Sequence, residues 1–135
     1  TGMNKNDAEA AKYNDPKLIV KVAKTYPGLK IIIAHYFWPK LDYCFSITDR
    51  INNIFFDTSG LADPQVVDAC GGIEKVRVIL SKTFKRRPES LIFGSDWPMG
   101  KMRDHKKLIE SLYLTQKDKE NVFYYNSKRI FRIPK

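Results

Sequence analysis

The sequence predicts an α/β protein built on a parallel sheet. Three observations carry that prediction. Short apolar runs alternate with longer stretches whose apolar residues recur every three or four positions. The runs "LKIIIAH", "NIFFDTSG" and "LIFGSDWPMG" hold consecutive apolar residues, as strands covered on both faces do. Each run also ends in an ionisable residue, His35, Asp57 or Asp96, at the strand end where parallel sheets present their binding groups.

The elements follow in order. Residues 1–13 are polar and irregular. The stretch "NDPKLIVKVAKTYPG" reads as a helix, with Asp15 as N-cap and Pro16 at the first helical position. Leu18, Ile19, Val22, Ala23 and Tyr26 share one face, and Pro27-Gly28 ends the helix. The first strand closes on His35, and "YFWPK" turns the chain. Leu41, Cys44, Phe45, Ile47 and Ile51 mark a second helix. The second strand ends near Asp57 and Thr58. Asp63-Pro64 then repeats the helix start, and Gly71-Gly72 interrupts that helix. A further helix turns Ile73, Val76, Ile79, Leu80 and Phe84 inward and is closed by "RRPES". After the third strand, Leu108, Ile109 and Leu112 mark a helix. Residues 115–133 read as a helix pair capped by Thr115.

Composition narrows the function classes. With 135 residues, 43% of them hydrophobic, the chain can form one ordinary domain with a core. No linker or low-complexity stretch divides it. The net charge of +9 comes from scattered lysines and arginines, apart from Lys82, Lys85, Arg86 and Arg87. No RNA-binding or helix-turn-helix signature accompanies them, so nucleic acid is not the expected partner. Cys44 and Cys70 lack zinc or disulfide spacing and read as buried thiols of a cytoplasmic protein. No apolar run approaches the roughly 20 residues that span a bilayer.

The segments "YNDPKLIVKVAKTYPGLKIIIAH", "NIFFDTSG", "LIFGSDWPMG" and "NVFYYNSKRIFRI" resemble, in that order, the C-terminal half of amidohydrolase-related (β/α)₈-barrel enzymes. The nearer branch holds the aminocarboxymuconate-semialdehyde decarboxylase-like proteins. GSDWP after an apolar strand is the most specific element. The resemblance implies a partial TIM barrel: strands six to eight with helices five to eight, residues 1–135 forming one piece. Such a barrel typically needs about 250 residues. Relatives often carry His-Thr-Gly at the end of strand five, which would put the expected histidine just before Thr1 and make this chain a fragment. The missing N-terminal half is then its first partner, and open strand edges are expected on either side of the three strands.

The resemblance also assigns roles. Asp96 would bind a catalytic divalent metal, Zn²⁺ being the type case, or take a proton from water that the metal has acidified to a pKa of about 7. His35 would act as acid or base, or as a further ligand, since an imidazole titrates near 6.5. Tyr36, Phe37, Trp38 and Trp97 flank the two groups and either wall a pocket for a planar or aromatic acid or pack under the loops, and Ser59 would touch substrate through its loop. Relatives often have a glycine soon after the strand-six histidine, where this chain has three aromatics, so substrate shape does not carry over. Asp57 is expected to hold the amides of Thr58 or Ser59 and is given no catalytic role. His105, among charged neighbours, is expected on a solvated surface. Asn126, Arg129 and Phe131 match a structural tail motif, and Arg86 and Arg87 fall at the stabilising end of the barrel.

The function expected from this pattern is that of a metal-dependent hydrolase cleaving C–N or C–O bonds, or of a decarboxylase acting on an unsaturated carboxylic acid. The substrate is a small molecule, and a homodimer is the association common among relatives. A catalytic zinc needs three or more protein ligands, and His35 and Asp96 are two. The remaining ligands of the family, a His-x-His on strand one and the strand-five histidine, are not in this sequence. The chain alone is therefore expected to be inactive. The rival expectations are a non-catalytic barrel module for assembly and an anion-binding domain.

Overall fold

The computed structural model describes residues 15–134. The polar opening segment, 1–13, lies outside them. Helix α1 (Pro16–Thr25) starts as the Asp-Pro pair dictates: the Lys17 amide donates to Asp15 Oδ1 at 2.8 Å. That bond holds the Asp15 carboxyl below its usual range. Of the expected apolar face, Ala23 is buried and Ile19 packs against the core, while Leu18, Val22 and Tyr26 are exposed.

Strand β1 (Ile31–Ile33) and a left-handed turn (Ala34–Phe37) follow, then α2 (Leu41–Thr48), β2 (Ile54–Asp57), α3 (Pro64–Ala69), α4 (Ile73–Arg86) and β3 (Leu91–Ile92). The strands are parallel in the order β1-β2-β3, with Ile33 opposite Phe56 and Asp57 opposite Ile92. Two helix-containing crossovers thus connect adjacent parallel strands, the arrangement the alternating pattern predicts. The strands are shorter than the apolar runs because the chain leaves the sheet as soon as the site loops begin.

Each face of the sheet has its own cover. Ile33, Ile54, Phe56 and Leu91 face the helices and join the main core with Leu41, Cys44, Val76, Leu80 and Phe84. Phe55 and Ile92 lie on the other face, under Ile130. Cys44 and Cys70 are free and buried as expected. Burial pushes their thiols up, to about 12 and about 11. Arg87 is buried beneath the sheet, where Nη1 donates to the carbonyls of Ile51 and Ile54 and the guanidinium lies 5.6 Å from the Phe56 ring. This is the stabilising role the sequence suggests. Ile73, expected inward, is exposed at the start of α4.

After α5 (Met102–Glu110), the expected helix pair is one continuous helical run. Helix α6 (Gln116–Glu120) opens on a capping box between Thr115 and Asp118. It passes through a π-helical turn (Asn121–Tyr125) into α7 (Asn126–Phe131). In the wide turn the Asn126 amide reaches back five residues to the Asn121 carbonyl. The Val122 carbonyl accepts from the Phe93 amide at 2.9 Å, and the Asn126 side chain donates to the Leu91 carbonyl, also at 2.9 Å. The edge of β3, expected to be open, is therefore covered. Asn126 has the locking role expected of the tail, but Ile130 packs inward and Phe131 is exposed.

Candidate active site

The three sheet-end groups of the sequence lie on one edge of the sheet. His35 follows β1, Asp57 closes β2 and Asp96 follows β3, all at the C-terminal ends of parallel strands. The strands that carry them, β1 and β3, lie on either side of β2, two strand spacings or roughly 10 Å apart.

Asp57 organises the centre. Its Oδ1 accepts from the His35 amide at 3.1 Å, the Ser59 amide at 3.0 Å and the Ser59 hydroxyl. The hydroxyl spends its hydrogen on Asp57, so its oxygen is left to accept. It lies 2.8 Å from His35 Nδ1, and the Ser59 carbonyl lies 3.1 Å from the same nitrogen. Both partners require Nδ1 to carry the proton. His35 Nε2 therefore holds the lone pair, and it has no protein partner among the described residues. A carboxylate, a hydroxyl and an imidazole thus form a chain that fixes ring tautomer and orientation.

The backbone here is strained. His35, Tyr36 and Phe37 have φ of 58°, 50° and 57°, in the left-handed region. Each such non-glycine residue costs roughly 1–2 kcal/mol. Packing holds them there. Tyr36 is 0% exposed, stacks on Phe56 at 4.5 Å between ring centroids and shares a hydrogen bond with the Thr83 hydroxyl; Phe37 is buried in the same core. Burial pushes the Tyr36 hydroxyl far above its ordinary range. A glycine would make this turn without steric cost; here aromatic burial does the work. Tyr36 and Phe37 are consequently core residues, not the pocket wall the sequence allowed. Ser59, expected to touch substrate, is buried behind the imidazole as a bridge. Asp57, given no part in the site beforehand, positions it. The expected bond to the Ser59 amide is present, but the link to His35, 22 residues away, is invisible in sequence.

Asp96 presents a different environment. It also has a left-handed backbone, with φ 59°, but its side chain is exposed and makes no hydrogen bond or ion pair among the described residues. Its neighbours Trp97 and Met99 are 76% and 84% exposed. The loop is supported from below by His105. This residue, expected on a solvated surface, is 1% exposed, and its Nδ1 pairs with the Lys101 carbonyl at 3.0 Å. A Cβ on Gly100 would lie 2.8 Å from the His105 ring and 2.0 Å from the Ser95 carbonyl, so only glycine fits that position.

Trp38 is half-buried and, with Asp63, Pro64, Gln65, Val66 and Met99, lines a cavity of about 400 Å³. A second cavity, of about 450 Å³, lies at the opposite end of the strands, between Pro27, Gly28 and residues 50–53, away from these groups.

The amidohydrolase family profile matches residues 5–133. The chain belongs to the amidohydrolase family. An uncharacterized TIM-barrel protein from Bordetella bronchiseptica superposes with a TM-score of 0.69 and 18% identity, over 97% of this chain and 44% of its own. 5-Carboxyvanillate decarboxylase LigW from Sphingomonas paucimobilis superposes with a TM-score of 0.57 and 21% identity, over 84% of this chain and 36% of its own. No curated protein matches the chain. The fold is part of a TIM barrel, and the chain spans less than half the length of either structure.

This amidohydrolase sequence offers two donors suited to a divalent metal on its C-terminal edge: the lone pair on His35 Nε2 and the Asp96 carboxylate. Among the described residues no group of three or more histidine, cysteine, aspartate or glutamate side chains is close enough to hold a metal. The donor set fits a share of a metal site, not a whole one. No helix among the described residues is long and apolar enough to cross a membrane.

Proposed function

We propose that this chain carries the His35–Asp96 side of the active site of a metal-dependent amidohydrolase-type enzyme. The enzyme would act on a small molecule in the cytoplasm, by hydrolysing a C–N or C–O bond or by decarboxylating an unsaturated carboxylic acid. One observation carries the reading: an imidazole oriented through Ser59 by Asp57 shares a sheet edge with an unpaired carboxylate.

A bound divalent metal, zinc being the expected one, would supply Lewis acidity and acidify water to a pKa of about 7. The chain's own groups do the rest. The Asp96 carboxylate, without a partner among the described residues, would help hold the metal or serve as a proton acceptor. His35 Nε2 holds a lone pair and can take a proton or contact the metal, while Nδ1–H stays committed to Ser59. Asp57 balances the charge when the ring becomes imidazolium. Trp38 and Trp97 flank the two groups and form the aromatic wall. Retained metal and turnover require further ligands from the rest of a barrel, so residues 1–135 alone bind metal weakly.

The deciding experiment is metal analysis and activity of the full-length protein beside its Asp96→Asn variant. Loss of both metal and turnover supports the reading. Metal content and activity that survive the change would overturn it.

A further inference from the structure

The chain starts two helices with the same Asp-Pro pair, and the two aspartates behave differently. Asp15 caps α1: its carboxylate accepts from the Lys17 amide and from the Tyr43 hydroxyl, at 2.8 and 3.0 Å. Asp63 has the extended backbone of an N-cap, with φ −74° and ψ 133°, but its side chain makes no capping bond. Its backbone is engaged on both sides, the amide with the Gly60 carbonyl and the carbonyl with the Val67 amide. Its carboxylate has no hydrogen bond or ion pair among the described residues. It is half-buried and lines the 400 Å³ cavity with Trp38, Val66 and Met99. The cavity also lies close to the imidazole. A Cβ on Gly60 would stand 3.3 Å from His35 Nδ1 and 4.0 Å from Asp63 Oδ2.

We propose that Asp63 and Trp38, with Met99, form a specificity subsite beside His35 that takes a primary ammonium group carried on a flat apolar body. A half-buried carboxylate without a partner is costly unless a donor reaches it, and it repels anions. An indole on the same wall adds cation–π attraction for an ammonium. Val66 and Met99 supply the apolar surface that an aromatic or short alkyl body needs. Among the described residues, no cationic side chain lines this cavity. The subsite rests on the reading that the C-terminal edge is the active site, and it narrows the substrate class to amine-bearing molecules.

The test is a titration of the full-length protein, followed by ligand-observed NMR, with benzylamine, benzyl alcohol and benzoate as cationic, neutral and anionic probes of one shape. Benzylammonium is expected to bind roughly tenfold more tightly than benzyl alcohol, and benzoate more weakly than either. Asp63→Asn should bring benzylammonium down to the affinity of the alcohol, with an unchanged circular dichroism spectrum because the side chain makes no hydrogen bond or ion pair among the described residues. Asp96→Asn should leave the benzylammonium affinity within twofold, which separates this subsite from the metal reading. Benzoate binding as tightly as benzylammonium would overturn the proposal, as would an Asp63→Asn variant that keeps the full preference for the cation.

Discussion

The turns after β1 and β3 carry the two groups that define the candidate site, and they are built in opposite ways. After β1 the chain is buried and cross-linked. Tyr36 and Phe37 sit in the core, and Asp57 gathers three hydrogen bonds that fix His35 and Ser59. After β3 the chain is exposed. Asp96, Trp97 and Met99 face solvent, and the loop is held chiefly through backbone bonds and the packing of Gly100 on His105. The first turn arrives preorganised, while the second offers its carboxylate to whatever comes from outside. A group that must orient one lone pair gains from rigid support. A group that must receive a metal or a proton gains from having no internal partner.

This contrast can be broken by substitution. The largest effect is expected from Asp96→Asn in the full-length protein, where the proposed activity should fall about 10²–10⁴-fold in kcat, with stability within about 0.5 kcal/mol because the exposed carboxylate makes no hydrogen bond or ion pair among the described residues. A melting temperature that drops with activity would mean the β3 turn is more tightly built than described. Next is Tyr36→Gly. It relieves the left-handed strain but removes a buried aromatic, and the balance is a loss of about 2–4 kcal/mol in urea unfolding. A neutral result would show that strain and burial cancel. Asp57→Ala is expected to cost about 2–3 kcal/mol and to lower kcat, because the ring loses the hydrogen bonds that orient it. A stability loss with an unaltered kcat would leave Asp57 purely structural. Gly60→Ala should cost about 1–2 kcal/mol, since φ is +72° and the new methyl would press on His35 Nδ1. Smallest is Trp97→Ala, within about 0.5 kcal/mol for a side chain so exposed. A larger loss would show that Trp97 packs in solution.

How much of this was legible in the sequence depends on the range of the interaction. The sheet, its order of elements and the strand-end positions of His35 and Asp96 follow from local periodicity and were readable. The His35–Ser59–Asp57 chain was not, because it joins residues 22 and 24 positions apart whose contact exists only once β1 and β2 pair. His105 was misread from its charged neighbours. Its spacing to Leu108, Ile109 and Leu112 is that of one buried helical face, and that was the better signal. Between pocket wall and core, Tyr36 and Phe37 are undecided by sequence, because an aromatic beside a strand end looks alike in either place; the structure buries both.

The π-helical turn has a consequence for assembly. The turn's Val122 carbonyl accepts from Phe93 and the Asn126 side chain that follows it donates to Leu91, so the hydrogen-bonding groups a newcomer strand would need are occupied. Any strand that came to pair beside β3 would have to displace these partners first. Stray copies of the chain therefore find little there to polymerise on.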